Sequence, residues 1–522
     1  MPIAMPLALP VALPAAITAA ASHPPLTERL TESLGAFEGF VSGKILVWIL
    51  LGTGLFLTLG TRGVQVRLFA RSLRLVLRSR HQRGSLSSFQ AFVIGLGGRV
   101  GTGNIAGVAL AVTLGGPGAL FWMWVVALLG MATSFAESTL AQVFKVRNAD
   151  GIFRGGPAYY MQRGLALAGR GGIGRAMGIV FALMLIFSYG LIFPMVQSNT
   201  IAATLESSHH VSTTTTAIVL MAVTAPILLA GMRFVARVTE WLVPLMALAY
   251  IAVVAVVIIV SLPSVPGVFG DIIAGAFSLR PGLAGVGGGL FATFLNGTKR
   301  GLFSNEAGQG SSPNGAATAD VAHPVVQGLI QSLGVFIDTI VICTATGLTV
   351  LLASPSIYTP GVAPEWAETT LVQHALADAL PGGWVLWFMT FVVATFAYSS
   401  VLGYSNFAEI NLSYLGGGPR AGVALRLAMT AATGLGAVVA LDLAWVMADV
   451  ALALMTILNL VAVLWLSRWV FAVLRDYDRQ RSDGVAEPAF VAERAGLPAA
   501  LDGDIWTADK AAARVASLDE EA

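Results

Sequence analysis

The chain has 522 residues, 56% of them hydrophobic and 11% charged, with a formal net charge of +2 and a mean hydropathy of +0.78. A water-soluble protein needs roughly 25% charged residues to cover its surface, so this composition excludes one and specifies an all-α polytopic membrane protein. A single cysteine, Cys343, excludes an intrachain disulfide and a cysteine-based metal cluster.

The opening stretch, "MPIAMPLALPVALPAAITAAASHP", is apolar but places proline at roughly every fourth position, a spacing that breaks helices. It lacks the basic start of a signal peptide, so residues 1–42 are expected to form a flexible or interfacial leader on the outside. Eleven apolar segments of about 20 residues follow, the length needed to cross a bilayer: 43–62, 88–114, 118–143, 172–197, 214–232, 238–262, 283–306, 325–354, 383–412, 421–441 and 443–472. The connection after the first carries Arg62, Arg67, Arg71, Arg74, Arg78, Arg80 and Arg83, which places it in the cytoplasm. Alternating from there, the outer side keeps only Arg29, Lys44 and Arg280, with Arg99 inside a span. The N-terminus is then outside and the C-terminus inside. The remainder, 476–522, is polar and reads as a cytosolic tail without chemistry.

The second segment contains "GLGGRVGTGNIAGV" from Gly95, where five of the first nine residues are glycine and Arg99 lies among them. Each glycine weakens a helix by about 1 kcal/mol relative to alanine. Irregular backbone persists in a bilayer only where it is buried in protein or lines a cavity. Close packing through small residues would explain the glycines but would not require Arg99, Thr102 and Asn104 beside them. A broken, site-forming helix is the better reading. Unwinding at 97–103 frees amide N–H groups at the start of a second half-helix, which suits an amino-acid carboxylate, and carbonyls at the end of the first, which suit a cation.

A second interruption is expected in segment 7, "GGGLFATFLNGTKRGLFSNEAGQGSSPN" from Gly287. Segments 2 and 7 each open a set of five, the pattern of an inverted-repeat secondary transporter with halves 88–262 and 283–472.

The quoted segments carry a resemblance. "GGPGALFWMWVVALLG" (Gly115–Gly130), "RVGTGNIAGVA" from Arg99, "GGPAYYM" from Gly155, "RGLFSNEAGQGSSPN" from Arg300 and "HPVVQGLIQSLGVFIDTIVICTA" from His323 resemble the alanine/glycine:cation symporter family of bacteria and archaea over roughly 45–480. The resemblance implies a leucine-transporter-like inverted repeat of five plus five helices, with segment 1 as an extra N-terminal helix, in a bacterial inner membrane. It implies inward movement of small neutral amino acids, mainly alanine and glycine, with sodium. By matching motifs, Gly101, Thr102, Gly103 and Asn104 would receive the substrate carboxylate, Gln197 would enter the pocket from segment 4, and Phe294 and Gly297 would wall it from segment 7. "FAYSSVLGY" on segment 9 is similar to the family's "FAFST..GW", with Tyr404 in place of the capping Trp and Ser400 one turn earlier. That departure extends the expected range to D-alanine. The sodium ligands implied are the carbonyls of Gly98 and Val100 and the hydroxyls of Thr395, Ser399 and Ser400.

Other charges read differently. Arg99 is expected to hold the unwound backbone or to pair with an acid. Glu137, Asp338, Glu409 and Asp449 are expected in structural pairs, with Asp338 and Glu409 also candidates for a relay or gate. Lys299, Arg300 and Glu306 are expected toward the cytoplasmic end of segment 7 as a gate or paired-charge latch. The aromatic run Phe121–Trp124 reads as packing and interface anchoring.

Enzyme chemistry is disfavoured. The histidines, His23, His81, His209, His210, His323 and His374, all fall in loops or ends, so no membrane-embedded base serves Ser399 or Ser400. A channel would want a repeated carbonyl filter and oligomeric symmetry. The expectation is a symporter without cofactor or nucleic-acid partner, active as a monomer in the lipid bilayer. The alternative is the same fold carrying another small amino acid or coupled to protons.

Overall fold

The computed structural model describes residues 26–77, 86–148, 151–280, 282–364, 368–439, 442–498, 501 and 505–511. The prolines of the leader, Arg78, Arg80, Arg83, His81 and the last residues of the tail lie outside them.

In chain order the principal helices are α1 (Arg29–Gly60), α2 (Phe69–Leu77), α3 (Ser88–Arg99), α4 (Ala106–Gly115), α5 (Gly118–Val143), α6 (Pro157–Leu167), α7 (Gly171–His209), α8 (Thr213–Leu229), α9 (Met232–Val260), α10 (Val265–Ala276), α11 (Leu290–Asn305), α12 (Ser312–Ala317), α13 (Pro324–Leu351), α14 (Glu368–Ala379), α15 (Trp384–Tyr414), α16 (Pro419–Gly436) and α17 (Asp442–Ser482). A two-stranded antiparallel ribbon, β1 (Val146–Arg147) with β2 (Phe153–Arg154), joins α5 to α6. All eleven expected segments fall on helices. By length and apolarity seven of the described helices suffice to cross a membrane, and the bent pair α3 and α4 makes an eighth. Segments 5, 7 and 10 fall short for different reasons. Helix α8 has only 17 residues, segment 7 is cut at Glu306, and α16 carries Arg420 and Arg426 within 18 residues.

Local sequence sets the ends that matter. Ser87 caps α3, accepting from Gln90 N at 3.1 Å, while the Gln90 side chain accepts from Ser87 N at 3.2 Å. Proline stands in the first turn of α6, α12, α13 and α16, where its missing N–H is not needed. Helices α7 and α13 each contain a wider π-helical stretch, Ser188–Ile192 and Phe336–Cys343. Such bulges re-aim side chains, and these two carry Tyr189 and Asp338.

The first broken helix sits inside the protein. Helix α15 crosses α3 so closely that a Cβ at Gly403 would collide with Gly98 N and Ile94 O. At the opposite end of α3, Leu86 pairs with Ala319, just after α12, and Asp320 N donates to Leu86 O at 3.3 Å. The two broken segments are thus tied to each other where α3 begins and α12 ends.

The segment after α17 does not hang free. Phe490 N donates to Ala322 O at 2.9 Å, and Trp506 Nε1 donates to Gln142 O, near the end of α5, at 3.1 Å. Phe490 and Trp506 are buried, and the Lys145 ammonium lies 4.9 Å from the Trp506 ring while donating to Ala319 O at 2.8 Å. The described part of the polar segment after α17 is a strap across the ends of α5, α12 and α17.

Truncating the tryptophan should release this strap. Trp506→Ala removes about 3 kcal/mol or more of burial, so hydrogen exchange across 490–498 and 505–511 is expected to rise sharply while α5 keeps its protection. Unchanged exchange there would show that the packing contributes nothing.

Candidate functional site

Helix α3 ends because its glycines yield to tertiary contacts. Val100 and Gly101 are extended (φ −77°, ψ 94° and φ −141°, ψ −153°), a short 3-10 turn spans Thr102–Asn104, and α4 resumes at a bend of 61°. Gly101 is required because a Cβ there would meet Ser400 Oγ. Asn104 folds back to accept Gly101 N at 2.9 Å and sends its Nδ2 to Ser304 Oγ at 2.8 Å and to the Asp338 carboxylate. Thr102 N points at Gln197 Oε1, 3.5 Å away, and Gln197 Nε2 reaches Tyr404 O–H at 3.4 Å.

Segment 7 breaks as expected. Glu306 ends α11 in a left-handed conformation (φ 53°), and the chain runs irregularly to α12. Its freed groups are claimed from neighbouring helices. Gly308 N donates to Glu137 Oε1 at 3.3 Å, and Asn459 Nδ2 bridges Glu137 Oε2 and Gly308 O at 2.9 and 2.8 Å. Tyr160 in turn donates to Asn459, and Tyr189 to Gln309 Oε1 at 3.0 Å.

Between the breaks lies a cavity of about 10 Å³, space for roughly one water. Gly101, Gly103, Gln197 and Tyr404 border it, as the sequence predicts, together with Tyr189, Phe193, Phe303, Glu306 and Gln309. A second cavity of about 140 Å³, lined by Glu38, Lys299, Arg300 and Asp449 among others, shares Phe303, Gln309 and Leu452 with the first. Those three side chains form the partition between vestibule and site.

The predicted cation ligands are partly assembled. Both serines also donate to their own helix at Phe396 O (2.9 and 3.2 Å), but Ser399 Oγ lies 3.3 Å from Val100 O and 3.5 Å from Gly97 O, and Ser400 Oγ 3.4 and 3.2 Å from the same carbonyls. Gly97, one residue before the expected Gly98, supplies the second carbonyl; Gly98 is instead the contact surface for α15. The Thr395 hydroxyl is not brought to the group. It donates to its own helix, at Phe391 O (2.8 Å) and Val392 O (3.0 Å). An all-oxygen cluster of this kind suits a hard cation. The Asp338 carboxylate is held by Asn104, by Ser304 Oγ at 3.1 Å and by Thr339 Oγ1 at 2.7 Å.

Two expectations for segment 7 are corrected. Phe294 and Gly297 do not wall the cavity. They sit well before the break, where Phe294 meets Trp48 and Trp122 with centroids 5.6 and 4.9 Å apart and Gly297 packs on Ala119 and Trp122. Phe303, about two and a half turns on and so on the opposite face of α11, holds the position assigned to Phe294. Lys299 and Arg300 likewise lie on α11, before the break and on the vestibule side rather than toward the far end; Lys299 pairs with Glu38 at 3.3 Å.

Arg99 also borders the cavity; it donates to Gln331 O at 2.9 Å, Ser134 Oγ at 2.8 Å and Ser312 Oγ, so it pins the end of α3 to α5, α12 and α13. Glu409 takes a bidentate pair from Arg426 at 2.8 and 2.9 Å. Sequence reasoning missed Tyr189, Phe303 and Asn459, ordinary residues of apolar helices until the fold turns them inward, and Gln309, which lies in the irregular stretch after Glu306.

Comparison with known proteins agrees with this geometry. Residues 27–492 match the sodium:alanine symporter family. The chain is 42% identical over 467 residues to the amino-acid carrier protein AlsT of Bacillus subtilis, covering 90% of this chain and 96% of that one. It is 39% identical over 463 residues to the probable sodium/glutamine symporter GlnT of the same species, covering 88% and 93%. The crystal structure of MhsT in complex with L-phenylalanine superposes with a TM-score of 0.52 at 14% identity, over 84% of this chain and 99% of that one, which shows a common fold. A helix broken around Gly101, a second broken at Glu306 and this likeness along most of its length make the chain a member of the sodium:alanine symporter family, a multi-pass membrane transporter and not an enzyme.

Proposed function

We propose that this protein imports small neutral amino acids, alanine and glycine with D-alanine included, coupled to sodium by alternating access. The observation that carries the reading is the pair of broken helices facing one buried cavity between them. The amides of Gly101, Thr102 and Gly103 begin the second half-helix and receive the carboxylate, with Asn104 fixing the turn. The carbonyls of Gly97 and Val100 with the hydroxyls of Ser399 and Ser400 take sodium, and Asp338 adds negative charge nearby. Ion and substrate share one unwound stretch, so binding of either orders it for the other, and the coupling is reciprocal.

The cavity is too small for an amino acid as it stands, so admission requires Phe303 and Leu452 to part toward the vestibule. Residues 88–262 and 283–472 form inverted halves that rock about this site, with α1 as an addition. The N-terminus is outside and the C-terminus inside, in a bacterial inner membrane, and the working unit is a single chain without cofactor. This orientation opens the vestibule to the outside and sets the strap at the inner ends of α5 and α12. A second reading, the same fold with another small amino acid or with protons, is favoured by one observation each: a relative named as a glutamine symporter, and the buried carboxylates of Asp338 and Glu306 beside the site.

Uptake of labelled alanine into proteoliposomes should collapse when the sodium gradient is removed; uptake sustained by a pH gradient alone would move the coupling to protons. Asn104→Ala should raise the half-saturation concentration for alanine about tenfold or more, since it strands buried polar partners, with the melting temperature confirming a folded protein. Unchanged kinetics would remove Asn104 from the site. Tyr404→Trp enlarges the side chain against Gln197 and should shift a competition panel toward glycine over alanine, whereas an unaltered panel would place Tyr404 outside the contact surface.

A further inference from the structure

A larger cavity, of about 660 Å³, lies at the other end of α1, between the connection that follows it and the end of α17. Its walls carry Arg62, Arg67, Arg71, Arg74, Arg479 and Arg481, with Tyr477 and Asp478. The acids nearby balance only part of this charge. Arg67 makes a bidentate pair with Asp478 at 2.9 Å, Arg479 meets Asp476 at 2.7 Å, and Arg71 reaches Glu487 at 3.4 Å while touching Tyr477 O–H and Ala486 O. Among the described residues no acid pairs with Arg62, Arg74 or Arg481, and Arg481 donates only to the carbonyls of Val485 and Ala486. The result is a concave site with surplus guanidinium groups, the geometry that receives a phosphate.

Its setting selects the kind of phosphate. Arg62 follows Gly60, the end of a membrane-length helix, so the cavity opens at headgroup level. Helix α2 is amphipathic: Phe69 packs on Phe336 with centroids 4.8 Å apart, while Leu73 and Leu77 are 45% and 76% exposed beside Arg71 and Arg74. Val66, before α2, is also 73% exposed. A free anion would fill the arginine cup and leave these side chains bare. A lipid covers both, its phosphate in the cup and its acyl chains over the leucines.

We propose that this cavity binds an anionic glycerophospholipid, whose phosphate joins the connection after α1 to the end of α17. The test uses the full-length chain purified in neutral detergent, with binding read by native mass spectrometry for dioleoyl phosphatidylglycerol, dioleoyl phosphatidylcholine and the deacylated glycerophosphoglycerol. Phosphatidylglycerol should bind at least about tenfold more tightly than either alternative, because the choline cation opposes the arginines and the deacylated headgroup lacks the chains that cover the leucines. Arg62→Gln and Arg74→Gln together should weaken it about thirtyfold, and each alone about fivefold, at roughly 1 kcal/mol per charge. Leu77→Asn should weaken the lipid and leave the deacylated headgroup unaffected. The proposal is overturned if the arginine variants bind phosphatidylglycerol like the parent or if phosphatidylcholine binds equally well. Equal binding of the deacylated headgroup would likewise overturn it, making the cup a site for a free anion.

Discussion

A peptide group released from a helix inside a bilayer must find a partner in the protein or line a cavity, because hydrocarbon offers none. This chain releases such groups twice, and much of its buried polar chemistry answers that demand. At the first break Asn104 and Gln197 meet the amides of Gly101 and Thr102. At the second, Glu137 and Asn459 hold Gly308 from both sides. The groups these bonds gather around the cavity are those that, in the proposed reading, a zwitterion and a hard cation would take over, which turns the energetic liability of the breaks into a means of recognition.

Arg99 shows how the arrangement is kept rigid on one flank. A full charge in a span is costly by several kcal/mol, and here it is met by a carbonyl and two serine hydroxyls from three different helices. The guanidinium therefore fixes the end of α3 against α5, α12 and α13. Gly403 does the same by absence, letting α15 approach α3 at backbone distance.

The fold was legible where polarity and hydrophobicity conflict. Glycines beside Arg99 and Asn104 in an apolar run announced the first break, and the Gly287–Asn314 stretch announced the second. Gln197, Ser399, Ser400 and Tyr404 were reachable because the family resemblance named them, and the structure sets them around the same few atoms. Helix phase was harder. Phe294 and Phe303 lie on one helix, and only the position of the break at Glu306 decides which faces the cavity. Thr395 bonds to its own helix, an alternative always open to a hydroxyl in a span. Tyr189, Gln309 and Asn459 carry no local signature at all, since they matter only through partners distant in the chain. The strap after α17 was hidden for the same reason: its composition is polar, but Phe490 and Trp506 pack on each other and find His323, Gln142 O and Lys145, partners that a linear reading cannot supply.

In the reading proposed above the carboxylate meets main-chain amides at Gly101–Gly103, so exchanging the side chains around the cavity reshapes it without removing those amides. Diversification within such a lineage is therefore channelled into the few side chains that fill the remaining space, chiefly Tyr404, Gln197 and Phe303. On that reading, selectivity can drift at these positions while the main-chain contacts to the part common to every amino acid persist.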